Sequence, residues 1–206
     1  MKTLSIISTM IFLISAQRPV TPDSRPVILA FGDSLTAGYG VQRGSGYPEL
    51  LQRKLDSLGY KYRIVNMSIS GDTTSGGRSR IRTALAVKPS IVILELGAND
   101  GLRGLPTSEM QVNIEEMIKD FQKASAKVIL AGMTLPRNYG ADYVKSFESV
   151  FRDAAKKYDV SLIPFLLEGV AGDPKYTLAD FIHPNADGYV LVTDIVMKTL
   201  LPLLKK

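Results

Sequence analysis

Val27-Ile28-Leu29-Ala30-Phe31-Gly32-Asp33-Ser34-Leu35-Thr36 is a short apolar run that breaks abruptly into glycine, acid and hydroxyl. Five consecutive apolar residues led by β-branched Val27 and Ile28 read as a strand buried on both faces, the signature of a parallel sheet. In open α/β sheets ligands bind beyond the carboxyl ends of the strands, so Ser34 is presented to a crevice. Taken alone, Gly-Asp-Ser after a strand also describes a turn with a helix cap. The rest of the chain has to decide between the two.

Outward from that stretch, strands alternate with helices. Leu50, Leu51, Leu55 and Leu58 recur at helical spacing over 47–58, after a glycine-rich loop over 35–40. A second strand over 62–67 runs into Ser68-Ile69-Ser70-Gly71-Asp72, and one helix over 75–87 follows until Lys88-Pro89 halts it. The third strand, 91–96, is among the most apolar and hence central; it delivers Gly97-Ala98-Asn99-Asp100. A helix over 106–124, a strand over 128–133, a helix over 142–158, a short strand over 162–165 and a last helix from Pro184 to about 200 complete the pattern. Residues 166–181 are irregular, a length suited to a site loop. The alternation predicts an α/β fold: a three-layer α/β/α domain with a five-stranded parallel sheet, for which the flavodoxin-like order 2-1-3-4-5 is a common solution. That order brings the loops carrying Ser34, Gly71 and Asn99 side by side.

Composition narrows the function. At 206 residues and 45% hydrophobic content the chain is the size of one domain with an ample core. The formal charge of +5 comes from scattered basic residues without interleaved aromatics, which argues against a nucleic-acid partner. Without cysteine there is no disulfide, zinc-thiolate site or thiol nucleophile. Lys2 followed by a largely apolar stretch to Ile14 and by Ser15-Ala16 outlines a signal peptide over 1–16, with 17–25 as a linker and 26–206 as the domain. The apolar stretch is too short to span a bilayer as a helix, so a periplasmic or secreted protein without stable membrane insertion is expected. An uncleaved anchor is the alternative.

His183 is the only histidine. A serine nucleophile needs a base, and imidazole is the usual one, so Ser34 and His183 stand or fall together. Asp180, three residues earlier, is placed to fold back onto the ring and fix its tautomer. Asn99, the Gly71 N–H and the Ser34 N–H are candidate donors to an oxyanion. Each residue has a plainer reading as a cap, a turn or a surface group; the four blocks gain force by occurring together, in order, at strand ends. Glu95, inside an apolar strand, is expected to be hydrogen-bonded behind the site.

Gly32-Asp33-Ser34-Leu35, Gly71, Gly97-x-Asn99-Asp100 and Asp180-x-x-His183-Pro184 resemble the GDSL, or SGNH, hydrolase family from Val27 to about Leu201. Ser68-Ile69-Ser70-Gly71-Asp72-Thr73, Glu95 to Gly104, Leu135 to Gly140 and Ile182-His183-Pro184-Asn185 look like its bacterial periplasmic thioesterase I/lysophospholipase/arylesterase branch. The resemblance implies Ser34 as nucleophile, His183 as base, Asp180 as orienting acid, and Ser34, Gly71 and Asn99 as the oxyanion hole. It also implies hydrolysis of acyl esters and thioesters as small-molecule substrates, without metal or cofactor, by a chain expected to act as a monomer. Ala98 departs from the branch, where glycine is frequent, and narrows the site beside Asn99. The short inter-element loops predict a shallow acyl groove walled by Ile69, Leu102, Leu105, Leu135, Pro136, Tyr139 and Ile182. Thr36 removes the Gly-x-Ser-x-Gly elbow. Neither a phospho-receiver nor a nucleotide-binding loop fits the strand ends, which leaves a carbohydrate esterase with the same catalytic groups as the nearest rival.

Overall fold

A computed structural model describes residues 23–206. The leader read over 1–16 lies outside the described residues, as does most of the linker; Arg25 at the linker's end rests on the domain, its guanidinium donating to the Tyr62 carbonyl at 3.3 Å.

Five parallel strands, β1 (Val27–Gly32), β2 (Arg63–Asn66), β3 (Pro89–Glu95), β4 (Lys127–Ala131) and β5 (Ser161–Ile163), form one sheet in the order β2-β1-β3-β4-β5. The flavodoxin-like order holds because right-handed crossovers carry the chain first to one side of β1 and then, from β3 onward, to the other. β1 is buried at every position and β3 at all but Ser90, as their unbroken apolar runs require. Pro89 occupies the first position of β3, and a register shift beside Val27 absorbs the extra residue while the Ser90 hydroxyl donates to the Val27 carbonyl at 2.8 Å.

On one face α2 (Tyr47–Ser57) packs against α8 (Ala186–Leu200); on the other α6 (Thr107–Lys123) packs against α7 (Ala141–Tyr158) and against the first of the two short helices α3 (Thr74–Ser79) and α4 (Ile81–Ala86). The single helix expected over 75–87 is therefore broken. The break falls at Arg80, whose backbone leaves the helical region (φ −106°, ψ 11°) just after the weak helix formers Gly76 and Gly77. Gly77 is packed so closely that an added Cβ would meet Leu96 and Met117, so α3 sits tightly against α6 and the segment after β3.

Two further differences bear on the site. The glycine-rich loop after Ser34 opens as helix α1 (Ser34–Ala37), capped by the Asp33 carboxylate, which accepts from the Leu35 N–H at 3.0 Å, and closed by left-handed Gly38. The turn after β3 is helix α5 (Ala98–Leu102), entered through Gly97 at φ 121°. At four and five residues, neither is long enough to show a 3.6-residue period.

Candidate active site

The carboxyl ends of β1 and β3 flank the switch point of the sheet, and α1 and α5 start there. Ser34 is the first residue of α1. Its Oγ lies 2.8 Å from His183 Nε2, and His183 Nδ1 lies 2.6 Å from Asp180 Oδ2. The other Asp180 oxygen accepts from the Ile182 and His183 N–H groups at 2.9 Å each, so the carboxylate is held by its own loop. Burial pushes the Asp180 carboxyl up, but hydrogen bonds from the His183 ring and from these two N–H groups outweigh it and hold it below the usual carboxylate range. The loop itself is pinned by an antiparallel bridge between Thr177 and Pro184, by the Leu178 N–H donating to the His183 carbonyl at 2.8 Å, and by Asn185 capping α8.

Asn99 sits in the first turn of α5, and its Nδ2 donates to Asp33 Oδ2 at 2.9 Å. That bond fixes which way the amide points. Gly71 lies in a turn closed by the Asp72 N–H donating to the Ile69 carbonyl at 3.0 Å. A φ of +81° at the third position makes this a type II turn that needs glycine, and leaves the Gly71 N–H out of the turn's own hydrogen bond. The turn adjoins the Ser34 loop because the Ile69 N–H donates to the Gly32 carbonyl at 3.1 Å.

Behind the serine, Glu95 is fully buried and its Oε2 accepts from the Asp33 N–H at 3.1 Å and the Thr36 hydroxyl at 2.8 Å. A Cβ at position 32 would strike both Thr36 and Glu95, so Gly32 is what lets the carboxyl approach. Burial, reinforced by the Asp33 charge, raises the Glu95 carboxyl well above its usual range, and burial raises Asp33 to about 6 despite the hydrogen bonds it accepts. Glu95 Oε1 is buried without a partner, which fits a neutral acid. Both raised groups hold protons in the folded state that the unfolded chain releases above about pH 4. The pair's contribution to stability therefore falls as pH rises from about 4 through the folded values. Glu95→Gln preserves the acceptor and removes one titration, so its melting temperature relative to wild type should rise between pH 4.5 and pH 8, with activity retained. A pH-independent difference would contradict the buried-pair assignment.

A cavity of about 640 Å³ opens beside Ser34 and His183. Leu102, Leu135, Pro136 and Ile182 line it, as does Ala98 beside Asn99. Ile69 and Tyr139 do not. The Ile69 side chain projects from its turn into solvent, 53% exposed, whereas Tyr139 packs on the core and donates its hydroxyl to the Leu102 carbonyl at 3.0 Å. Leu105 also stands outside the lining. The shallow groove expected from short loops is corrected to a cavity, because the irregular segment after β5 folds back and supplies Phe165, Leu167, Ala171 and Phe181 as a wall. Met133, two residues past β4, adds to it. A strand-end position was the available signal for Met133 and Phe165; nothing in the sequence singles out Phe181, held at φ 59° and 53% exposed. Tyr39, also unforeseen, lies with its ring centroid 4.6 Å from that of His183 and is not part of the cavity wall.

Hydroxyl, imidazole and carboxylate in sequence at the mouth of an apolar cavity, on a flavodoxin-like sheet, define a hydrolase of the serine type. The chain belongs to the GDSL-like lipase/acylhydrolase family, whose model matches residues 30–191, and it is an esterase of that family. It is 43% identical over 178 residues to Esterase TesA of Pseudomonas aeruginosa, covering 86% of this chain and 89% of that one. It is 38% identical over 177 residues to Thioesterase 1/protease 1/lysophospholipase L1 of Escherichia coli, covering 85% and 84%. Among solved structures, the psychrotrophic esterase EstA from Pseudoalteromonas sp., inhibited by monoethylphosphonate, superposes with a TM-score of 0.82 at 36% identity, covering 86% of this chain and 97% of that one.

Proposed function

We propose that the protein hydrolyses acyl esters and thioesters through an acyl-enzyme on Ser34, with His183 as the base, Asp180 orienting it, and the N–H groups of Ser34 and Gly71 and the Asn99 amide as oxyanion donors. The observation that carries this reading is the hydrogen-bonded chain from Ser34 Oγ through His183 to Asp180, at 2.8 and 2.6 Å, at the mouth of the apolar cavity. His183 Nε2 takes the hydroxyl proton as Oγ attacks the carbonyl carbon. The carbonyl oxygen becomes an oxyanion facing the three donors. Collapse breaks the bond to the alkoxide or thiolate, which receives the proton from His183. Water, activated by the same imidazole, then attacks the acyl-enzyme, and the second collapse releases the carboxylic acid and returns the proton to Ser34.

The acyl chain occupies the cavity walled by Leu102, Leu135, Pro136 and Ile182, with the Ala98 methyl taking space beside Asn99. Burial of a methylene is worth about 0.8 kcal/mol, so kcat/KM for a series of aryl esters should rise by at most about fourfold per methylene and level off where the cavity is full. Acyl thioesters should show the same order. A strict acetyl preference with no turnover of an eight-carbon ester would overturn this assignment and favour the carbohydrate esterase.

The apolar stretch after Lys2 supports export to the periplasm or medium. Among the described residues no helix is long and apolar enough to cross a membrane.

A further inference from the structure

The two main-chain donors of the proposed oxyanion hole come from different loops, so something must fix the gap between them. Two main-chain bonds join the segments, from the Met67 N–H to the Ala30 carbonyl at 2.8 Å and from the Ile69 N–H to the Gly32 carbonyl at 3.1 Å, and the nearer lies two residues away from Gly71. The Gly71 peptide itself is exposed and flexible by composition, flanked by Ser70 and held at φ +81°.

Arg80 closes that gap. It stands at the break between α3 and α4, with its side chain 14% exposed. Nε donates to Asp72 Oδ2 at 2.7 Å, Nη1 to the Met67 carbonyl at 2.5 Å, and Nη2 to the Gly32 carbonyl at 3.1 Å. The guanidinium also lies over the Phe31 ring, 3.9 Å from its centroid. Gly32 is two residues before Ser34; Met67 begins the segment that leads into the Gly71 turn and Asp72 follows Gly71 directly. One planar group thus grips the end of β1 and both ends of the segment that carries Gly71. Arg103 reaches the same turn from the outside, donating to the Gly71 carbonyl at 2.8 Å, but it is exposed and touches neither Gly32 nor Met67.

We propose that Arg80 is a positioning residue for the oxyanion hole: its guanidinium sets the separation and direction of the Gly71 N–H relative to Ser34. The inference rests on the reading of Ser34 and Gly71 as oxyanion donors. The helix break falls at this same residue, whose side chain reaches Gly32, Met67 and Asp72. A lysine cannot substitute, because a single ammonium does not present a rigid fork to three acceptors in different directions.

Misplacing a donor by about 1 Å costs up to about 100-fold in rate, and losing it altogether about 10²–10³. Arg80→Lys should therefore lower kcat for an aryl ester about 10- to 100-fold with KM within about threefold, measured well below the variant's own melting temperature. Guanidinium ion added to Arg80→Ala should restore part of kcat, and Asp72→Asn should show the same split between kcat and KM in smaller measure. The amide resonance of Gly71 should shift on formation of a phosphonate adduct in wild type and shift less in Arg80→Lys. A purely architectural role would lower the melting temperature while leaving kcat of the folded variant and the Gly71 resonance as in wild type, and that result would overturn the proposal. Asn99→Ala and phosphonate labelling of Ser34, run in parallel, separate the two levels: a 10²–10³-fold loss and a Ser34 adduct with an unaffected Arg80→Lys refute the clamp alone. Absence of a Ser34 adduct in active enzyme refutes the underlying reading.

Discussion

Ser34→Ala is expected to lower turnover of any acyl ester by about 10⁵- to 10⁶-fold, leaving only what donors and binding supply without a nucleophile. The hydroxyl is hydrogen-bonded to His183 Nε2 at 2.8 Å, and no cysteine is available to replace it. The fold should survive, because Ser34 is the first residue of α1, a helix capped by Asp33 and not by the serine, so melting should stay within a few degrees of wild type. Retained turnover in a correctly folded variant would exclude the acyl-enzyme.

His183→Asn is expected to cost nearly as much, and the double variant with Ser34→Ala little more than either alone, because the two act as one unit. The chain holds no second imidazole to take over. Asp180→Asn should cost less, about 10³–10⁴, since an acid that orients the ring and stabilises its cation acts through the imidazole. Its oxygens also hold the Ile182 and His183 N–H groups, so part of that loss reflects a loosened loop. Steady-state kinetics on one ester across the three variants decides the order; an Asp180→Asn defect as large as that of His183→Asn would assign the acid a more direct role.

The arrangement of Ser34, His183 and Asp180 was legible in the sequence because few alternatives exist: a lone histidine, an acid three residues before it, and a serine just after a doubly buried strand. The sheet was legible for a similar reason, since an apolar run such as Ile91 to Leu94 has no exposed face to display and must lie at the centre. Helices α2, α6, α7 and α8 follow from their periodic apolar stripes, with Asn185 shifting the start of α8 two residues past Pro184 by capping Gly188. Helices α1 and α5 depend on side-chain caps and tertiary contacts too local to leave a period. The break at Arg80 depends on three acceptors that the sequence scatters between Gly32 and Asp72. Side-chain direction in irregular backbone has no periodicity to read, which is why Ile69 and Tyr139 fell outside the cavity and Phe181 within it.

The expectation for Glu95 came out differently from these, because a carboxylic acid inside an apolar strand has only one tolerable environment. It must be neutral or bonded, and it is both placed against two donors and raised by burial. Thr74 and Asp100 illustrate the converse: the Thr74 hydroxyl donates to Asp100 at 2.6 Å and its N–H at 2.9 Å, tying the start of α3 to α5, a link that only the fold brings together.

The most direct test of the account is reaction of the full chain with an organophosphonate, followed by peptide mass spectrometry. The account predicts one adduct per chain, on the peptide that contains Ser34, formed in step with loss of activity and slowed by more than about 10³-fold in His183→Asn. An adduct on any other serine, or complete inhibition without modification of Ser34, would contradict it.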